Sequence, residues 1–146
     1  KVVIADRNMD TAQRFAQSLR DNEYKAEAVH YDALRESDAL KAVDKAIESF
    51  GSIDILVNNV GGSDLSRDLD IEELDVKYFN EVFHINLLSM IHTTRAVLPL
   101  MKSSGGGTIV NVASISPPFL ISRGDFSLLF QVIFAYATFQ YCRGDH

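Results

Sequence analysis

The sequence predicts an α/β fold, a parallel sheet between two helical layers, and three observations carry that expectation. Short, mostly apolar runs recur at Val2 to Ala5, Ala26 to Tyr31, Ile55 to Asn58 and Thr108 to Val112. The segments between them carry apolar residues at helical spacing. Strands that alternate with helices in this way fold as parallel units with right-handed crossovers. The composition, 47% hydrophobic and 23% charged over 146 residues, suits one globular domain able to bury a core.

Val2 to Ala5 is wholly apolar, which predicts a strand buried on both faces. Asp10 and Thr11 are candidate caps for a helix with Ala12, Phe15, Ala16 and Leu19 on its inner side. Ala26 to Tyr31 reads as the second strand. Ser37 or Asp38 opens a second helix with Leu40, Val43, Ile47 and Phe50 on one side, and Gly51 suits its C-terminal cap. Ile55 to Asn58 is the third strand, and the polar stretch Gly61 to Asp70 is a loop. From Asp75 or Val76 a long helix turns Phe79, Val82, Phe83, Leu87, Met90 and Ile91 inward until Pro99. Ser103 to Gly107 reads as a flexible turn before the fourth strand, Thr108 to Val112. After Ser116-Pro117-Pro118 the rhythm fails, and Phe126 to Cys142 has no period that separates helix from strand. The expected domain thus spans residues 1–116, with 117–146 as its diverged apolar end.

Charge and composition exclude several classes. A net charge of -6 offers no basic footprint for nucleic acid. The single Cys142 forms no internal disulfide, there is no zinc spacing and no Asn-x-Ser/Thr sequon, so a reducing, cytoplasmic setting is expected. Val2 to Ala5 is too short for a secretory apolar region and is followed at once by Asp6 and Arg7, so no signal peptide is expected. Phe126 to Cys142, at 17 residues, falls at the lower limit of a membrane span of about 20 residues and includes four polar side chains, so no membrane partner is expected. His84 and His92 are not one helical turn apart and predict no metal site. Arg-Gly-Asp at 123–125 and 143–145 is read as chance, and Gly105-Gly106-Gly107 precedes a strand where a phosphate loop must follow one.

Three stretches at fixed distances remain: Asn58-Asn59-Val60-Gly61 after Ile55-Leu56-Val57, then Asn86, then Ser114 after Thr108 to Val112. In order and spacing they resemble the short-chain dehydrogenases/reductases, Rossmann-type enzymes that move a hydride between a nicotinamide and an alcohol or carbonyl. The match runs from Lys1 to about Ser116 and corresponds to the family's second through fifth strands. It implies a three-layer, Rossmann-like sheet that is incomplete, because the family's first strand has no counterpart here. In the family's order 3-2-1-4-5 that strand lies between Val2 to Ala5 and Ile55 to Asn58 and is the partner of both. The gap is therefore closed, filled by the tail, or left as an open edge.

The resemblance also assigns roles. Asp6 stands where a dinucleotide fold places an acid on the adenosine ribose, which favours NAD over NADP, although Arg7 beside it can meet a 2′-phosphate. Asp32 lies 27 positions before Asn59 and matches the residue that holds the adenine amino group. Asn58 and Asn59 can tie neighbouring strands, with Val60 in place of the family's Ala and Gly61 allowing close approach to the ribose. Asn86 matches an Asn whose backbone carbonyl holds a water in the proton relay. Ser114, 28 positions later, matches the Ser that bonds the substrate oxygen.

Two family features are missing from these 146 residues. No glycine-rich loop follows a strand, and none of Tyr24, Tyr31, Tyr78, Tyr136 or Tyr141 has a Lys four residues later. Ser127 stands about where the proton-donating Tyr belongs. The expectation is thus a truncated, inactive oxidoreductase of a small-molecule alcohol or carbonyl. The alternative is a non-catalytic scaffold that associates with a relative or a second copy through the long helix and Phe126 to Cys142.

Overall fold

A computed structural model describes residues 1–64, 66, 67, 72–112 and 139–143. β1 (Val2–Asp6) leads through α1 (Met9–Asp21) to β2 (Ala26–His30), and the two strands pair in parallel with Val2 opposite Ala26. α2 (Glu36–Phe50) leads to β3 (Ile55–Asn58), which pairs in parallel with β4 (Gly106–Asn111), Ile55 opposite Thr108. Between β3 and β4 run α3 (Val76–Phe83), a π-helical turn (His84–Leu88) and α4 (Ser89–Ser103). β5 (Phe139–Arg143) pairs antiparallel with β4, Val110 opposite Phe139.

The alternating parallel units are those expected, but the strands form two sheets, β1-β2 and β3-β4-β5. The tail strand adds to the outer edge of β4 and brings an antiparallel pair into a sheet expected to be parallel. It does not enter the gap between β1 and β3, because the open outer edge of β4 supplies its backbone partners instead. Residues 126–138 of the apolar end lie outside the described residues.

Local chemistry shifts several boundaries. Asn8, not Asp10 or Thr11, caps α1, its Oδ1 accepting the Thr11 N–H at 3.1 Å. α2 begins after Arg35 with no side-chain cap, and Asp38 is instead buried in its first turn. Gly51 does end α2, with φ 85°, in the left-handed region that glycine enters freely. The long helix is interrupted at His84–Leu88, where the Ser89 N–H reaches five residues back to the His84 carbonyl. It then passes Pro99 and ends at Ser103. Pro99 leaves the Arg95 carbonyl without a ladder donor, but both residues are exposed, where solvent reaches that carbonyl. The strand β4 also starts earlier than expected, because Gly106 and Gly107 pair with Arg143 and Cys142 of β5, and Gly107 lies so close to Met101 that a Cβ would stand 2.7 Å from its sulfur.

The main core joins Val43 of α2, Val97 and Met101 of α4 and Ile109 of β4, with Ile53 and Leu56 packed against them. Phe15, Leu40 and Ile91, expected inside, are 53%, 54% and 40% exposed. The two-stranded β1-β2 sheet is too narrow to cover the apolar stripes of α1 and α2. The same lack of a second neighbour leaves Val2 at 36% exposed, in a strand expected to be buried on both faces.

Candidate functional site

The carboxyl ends of the strands meet over one small apolar cluster. Tyr31, Ala33 and Ala39 form it, with Ala5, Val60 and Ile85 packed against them. The Asp6 carbonyl accepts the Tyr31 N–H at 3.0 Å, which ties the ends of β1 and β2 together. The Asp6 side chain is exposed at this rim, and its Oδ1 accepts the Asn8 N–H at 2.7 Å. Among the described residues no partner takes its second oxygen. Arg7 is exposed beside it.

Asp32 follows β2, and its side chain is turned onto its own loop. Its Oδ1 accepts the Leu34 N–H at 3.1 Å, and Oδ2 lies 3.4 Å from Arg35 Nε. Behind it sits Asp38, which sequence reading takes only for a cap. Asp38 accepts from Lys41 Nζ at 2.7 Å and from the Asp32 N–H at 3.1 Å, with His30 Nδ1 at 3.5 Å. The Lys41 hydrogen bond, then that of the Asp32 amide, hold its carboxyl below the usual carboxylate range. Tyr31 is pushed the other way: burial raises its hydroxyl pKa, against a bond with Ser89 that lowers it.

The loop after β3 is fixed from both sides. Asn58 is buried, its Nδ2 donating to Asn111 Oδ1 at 2.8 Å and to Thr94 Oγ1 at 3.3 Å, while Thr93 Oγ1 donates to its Oδ1 at 2.6 Å. One amide thus ties β3 to β4 and to α4. Asn59 and Gly61 are exposed, whereas Val60 points into the apolar cluster. Asn86, buried in the π turn, donates to the Gly62 carbonyl at 2.9 Å and accepts the Gly62 N–H at 2.8 Å. A third bond, to the Val82 carbonyl at 2.9 Å, anchors the amide to its own helix.

Sequence reading misses Asn111 and Thr93 as partners of Asn58. An Asn within an apolar strand and a Thr pair within a helix are the signals that mark them. His84 and His92, two turns apart in sequence, stack with ring centroids 5.7 Å apart, and His92 Nδ1 lies 3.1 Å from Glu36. Among the described residues no three metal-ligating side chains converge, and no helix is long and apolar enough to cross a membrane. Ser114 lies outside the described residues.

The profile of the short chain dehydrogenase family matches residues 1–118. A 7alpha-hydroxysteroid dehydrogenase of Bacteroides fragilis is 42% identical over 116 residues, covering 80% of this chain and 45% of that protein. Zerumbone synthase of Zingiber zerumbet is 37% identical over 120 residues, covering 80% of this chain and 43% of that one. Among solved structures, a 7 alpha-hydroxysteroid dehydrogenase complexed with NADH and 7-oxo glycochenodeoxycholic acid superposes with a TM-score of 0.72 at 30% identity. That likeness covers 78% of this chain and 43% of the other. The chain spans less than half the length of these relatives.

Proposed function

The chain belongs to the short-chain dehydrogenase family, and we propose that it carries the adenosine-binding half of an NAD-dependent oxidoreductase of a small-molecule alcohol or carbonyl. The observation that supports this most is the Asp6 carboxylate, exposed at the end of β1 with one oxygen unpartnered among the described residues. A ribose diol is a pair of hydroxyl donors, and that carboxylate is the acceptor such a pair needs. The donor set therefore fits the adenosine end of the nucleotide. The same carboxylate repels a 2′-phosphate and makes NADP the poorer ligand, with the adjacent Arg7 offsetting this.

Asp32 then meets the adenine amino group, its carboxylate oriented by the Leu34 N–H. Asn59, Val60 and Gly61 form the wall along the adenine and ribose, held in place through Asn58 and Asn86. The bound nicotinamide would donate or accept the hydride. Ser114 would hydrogen-bond the substrate oxygen, and the Asn86 backbone would hold a water of the proton path. No glycine-rich loop stands in these 146 residues to hold the pyrophosphate and no Tyr-x-x-x-Lys pair to supply the proton, so on this reading the 146 residues by themselves bind the nucleotide weakly and do not turn over. Its single cysteine suits a cytoplasmic location.

Calorimetric titration of the 146-residue chain with NAD tests the binding claim. A dissociation constant weaker than micromolar is expected, worsened about tenfold or more in Asp6→Ala, since a hydrogen bond to a charged group contributes about 1.5–3 kcal/mol. Binding at micromolar strength or better, or an Asp6→Ala affinity equal to the parent's, would contradict it.

A further inference from the structure

Asp38 is the third residue of α2, and its side chain is 2% exposed. An acid at that place ordinarily reaches back to the N–H of the residue that opens the helix. Here that residue is Arg35, whose N–H donates to the Asp32 carbonyl at 2.9 Å. Asp38 reaches three residues further back instead. Its Oδ2 accepts the Asp32 N–H at 3.1 Å, while Oδ1 accepts from Lys41 Nζ at 2.7 Å. α2 is thus left without a side-chain cap, although a buried carboxylate stands in its first turn. A buried charge is kept only with partners, and the backbone partner of this one is the residue proposed to meet adenine.

The other bonds of Asp32 stay within its own turn. Its carbonyl accepts the Arg35 N–H, and its side chain is bonded by the Leu34 N–H and lies beside the Arg35 guanidinium. None of these sets where the turn stands relative to the rest of the site, because all of them move with it. The Asp38 bond does set it, since Asp38 is fixed in α2. The next residue, Ala39, is buried in the apolar cluster against which Val60 of the loop after β3 packs. Asp38 and Ala39 therefore refer Asp32 and Val60 to one frame, and these two stand on the two sides of the proposed adenine site.

We propose that Asp38 is a positioning residue for adenine recognition: through the Asp32 N–H it fixes the direction in which the Asp32 carboxylate meets the adenine amino group, a role that rests on the adenine contact proposed for Asp32. A hydrogen bond weakens steeply once donor and acceptor lose alignment, so a turn freed from α2 gives up the amino group first. The two oxygens of Asp38 divide the work. Lys41 balances the charge at one, and the Asp32 amide is held by the other. An asparagine keeps an acceptor for the amide and loses the ion pair, whereas an alanine loses both. Positioning and stability are thereby separable.

NMR titration of the 15N-labelled 146-residue chain with 5′-AMP and with purine riboside 5′-monophosphate, the same nucleotide without the amino group, tests it. The parent should prefer AMP by about tenfold or more, the worth of a hydrogen bond to a charged group. Asp38→Ala should reduce that preference to about twofold or less, and Asp38→Asn should recover most of it although the Lys41 pair is lost. A ratio of two ligands on the same folded molecules does not move with stability alone. Should the alanine variant not fold, Asp38→Ser, a good helix-start residue too short to reach Asp32, gives the same test. An AMP preference that survives in Asp38→Ala or Asp38→Ser would overturn the proposal, as would an Asp38→Asn preference no better than theirs. Asp32→Ala separates the two readings. If it abolishes the preference and Asp38→Ala does not, the positioning role alone fails; if the parent shows no preference, or Asp32→Ala keeps it, the adenine role of Asp32 fails and the proposal with it.

Discussion

Asn86 holds Gly62 by both of its backbone polar groups, donating to the carbonyl at 2.9 Å and accepting the N–H at 2.8 Å. A side-chain amide matches a peptide group in this way only when both are fixed and close, and here the fixing comes from a π turn. The inserted residue breaks the α-helical register at His84–Leu88, where such turns often mark functional sites. One residue thus links the long helix to the loop that leaves β3.

Replacing this amide should therefore loosen the loop. Asn86→Ala strands the Gly62 N–H and carbonyl and should cost about 1–3 kcal/mol in urea unfolding. Asn86→Asp keeps the acceptor and loses the donor, so it should fall between the parent and the alanine variant. Parent stability in Asn86→Ala would show that the loop does not depend on the clamp.

Asn58 makes a separate prediction, because its bonds cross from β3 to β4 and α4. Asn58→Ala removes a buried amide that bonds Asn111, Thr94 and Thr93 and should cost about 1–3 kcal/mol. Asn111→Ala breaks the same strand tie, so the double variant should cost less than the sum of the two single changes. Strict additivity would mean that the pair is not coupled.

Acid should act partly through Asp38. Its carboxyl is held below the usual range first by Lys41 and then by the Asp32 amide. A depressed folded pKa means that the ionised group stabilises the fold above its unfolded value of about 3.9, and that this is lost as pH falls through the folded pKa. Asp38→Asn should be less stable than the parent near pH 7, with the difference shrinking below about pH 4. Thermal midpoints of both chains from pH 7 to 3 check this, and a difference that does not narrow would contradict it. Asp64 and Asp75 are also shifted down, but they remain in both chains and cancel in the comparison.

Much of this was legible in the sequence, for reasons that differ by residue. The strands followed from apolar runs, and the pairing of Ile55 to Asn58 with Thr108 to Asn111 is the one that the strand order of the resembled family implies. The amides of Asn58-Asn59 were readable as strand ties, and Asn58 is one. The π turn was not legible, because an inserted residue leaves each flanking helical period intact. Phe15 and Leu40 were misplaced inward because periodicity marks an apolar stripe and says nothing of how wide a sheet it meets. Asp38 looked like a cap because an acid in a first turn is common there, while its burial depends on Lys41 and the Asp32 backbone.

The central proposal is that these 146 residues bind nucleotide weakly and, with no Tyr-x-x-x-Lys pair among them, do not by themselves carry out turnover. The direct measurement is absorbance at 340 nm with the purified 146-residue chain, NAD or NADH, and a panel of small alcohols and ketones. Positioned acid-base catalysis contributes a factor of about 10² to 10⁴. With that factor missing and cofactor binding weak, no turnover above background is predicted. Robust NADH formation or consumption that disappears in Ser114→Ala would contradict it, and would show that another residue supplies the proton.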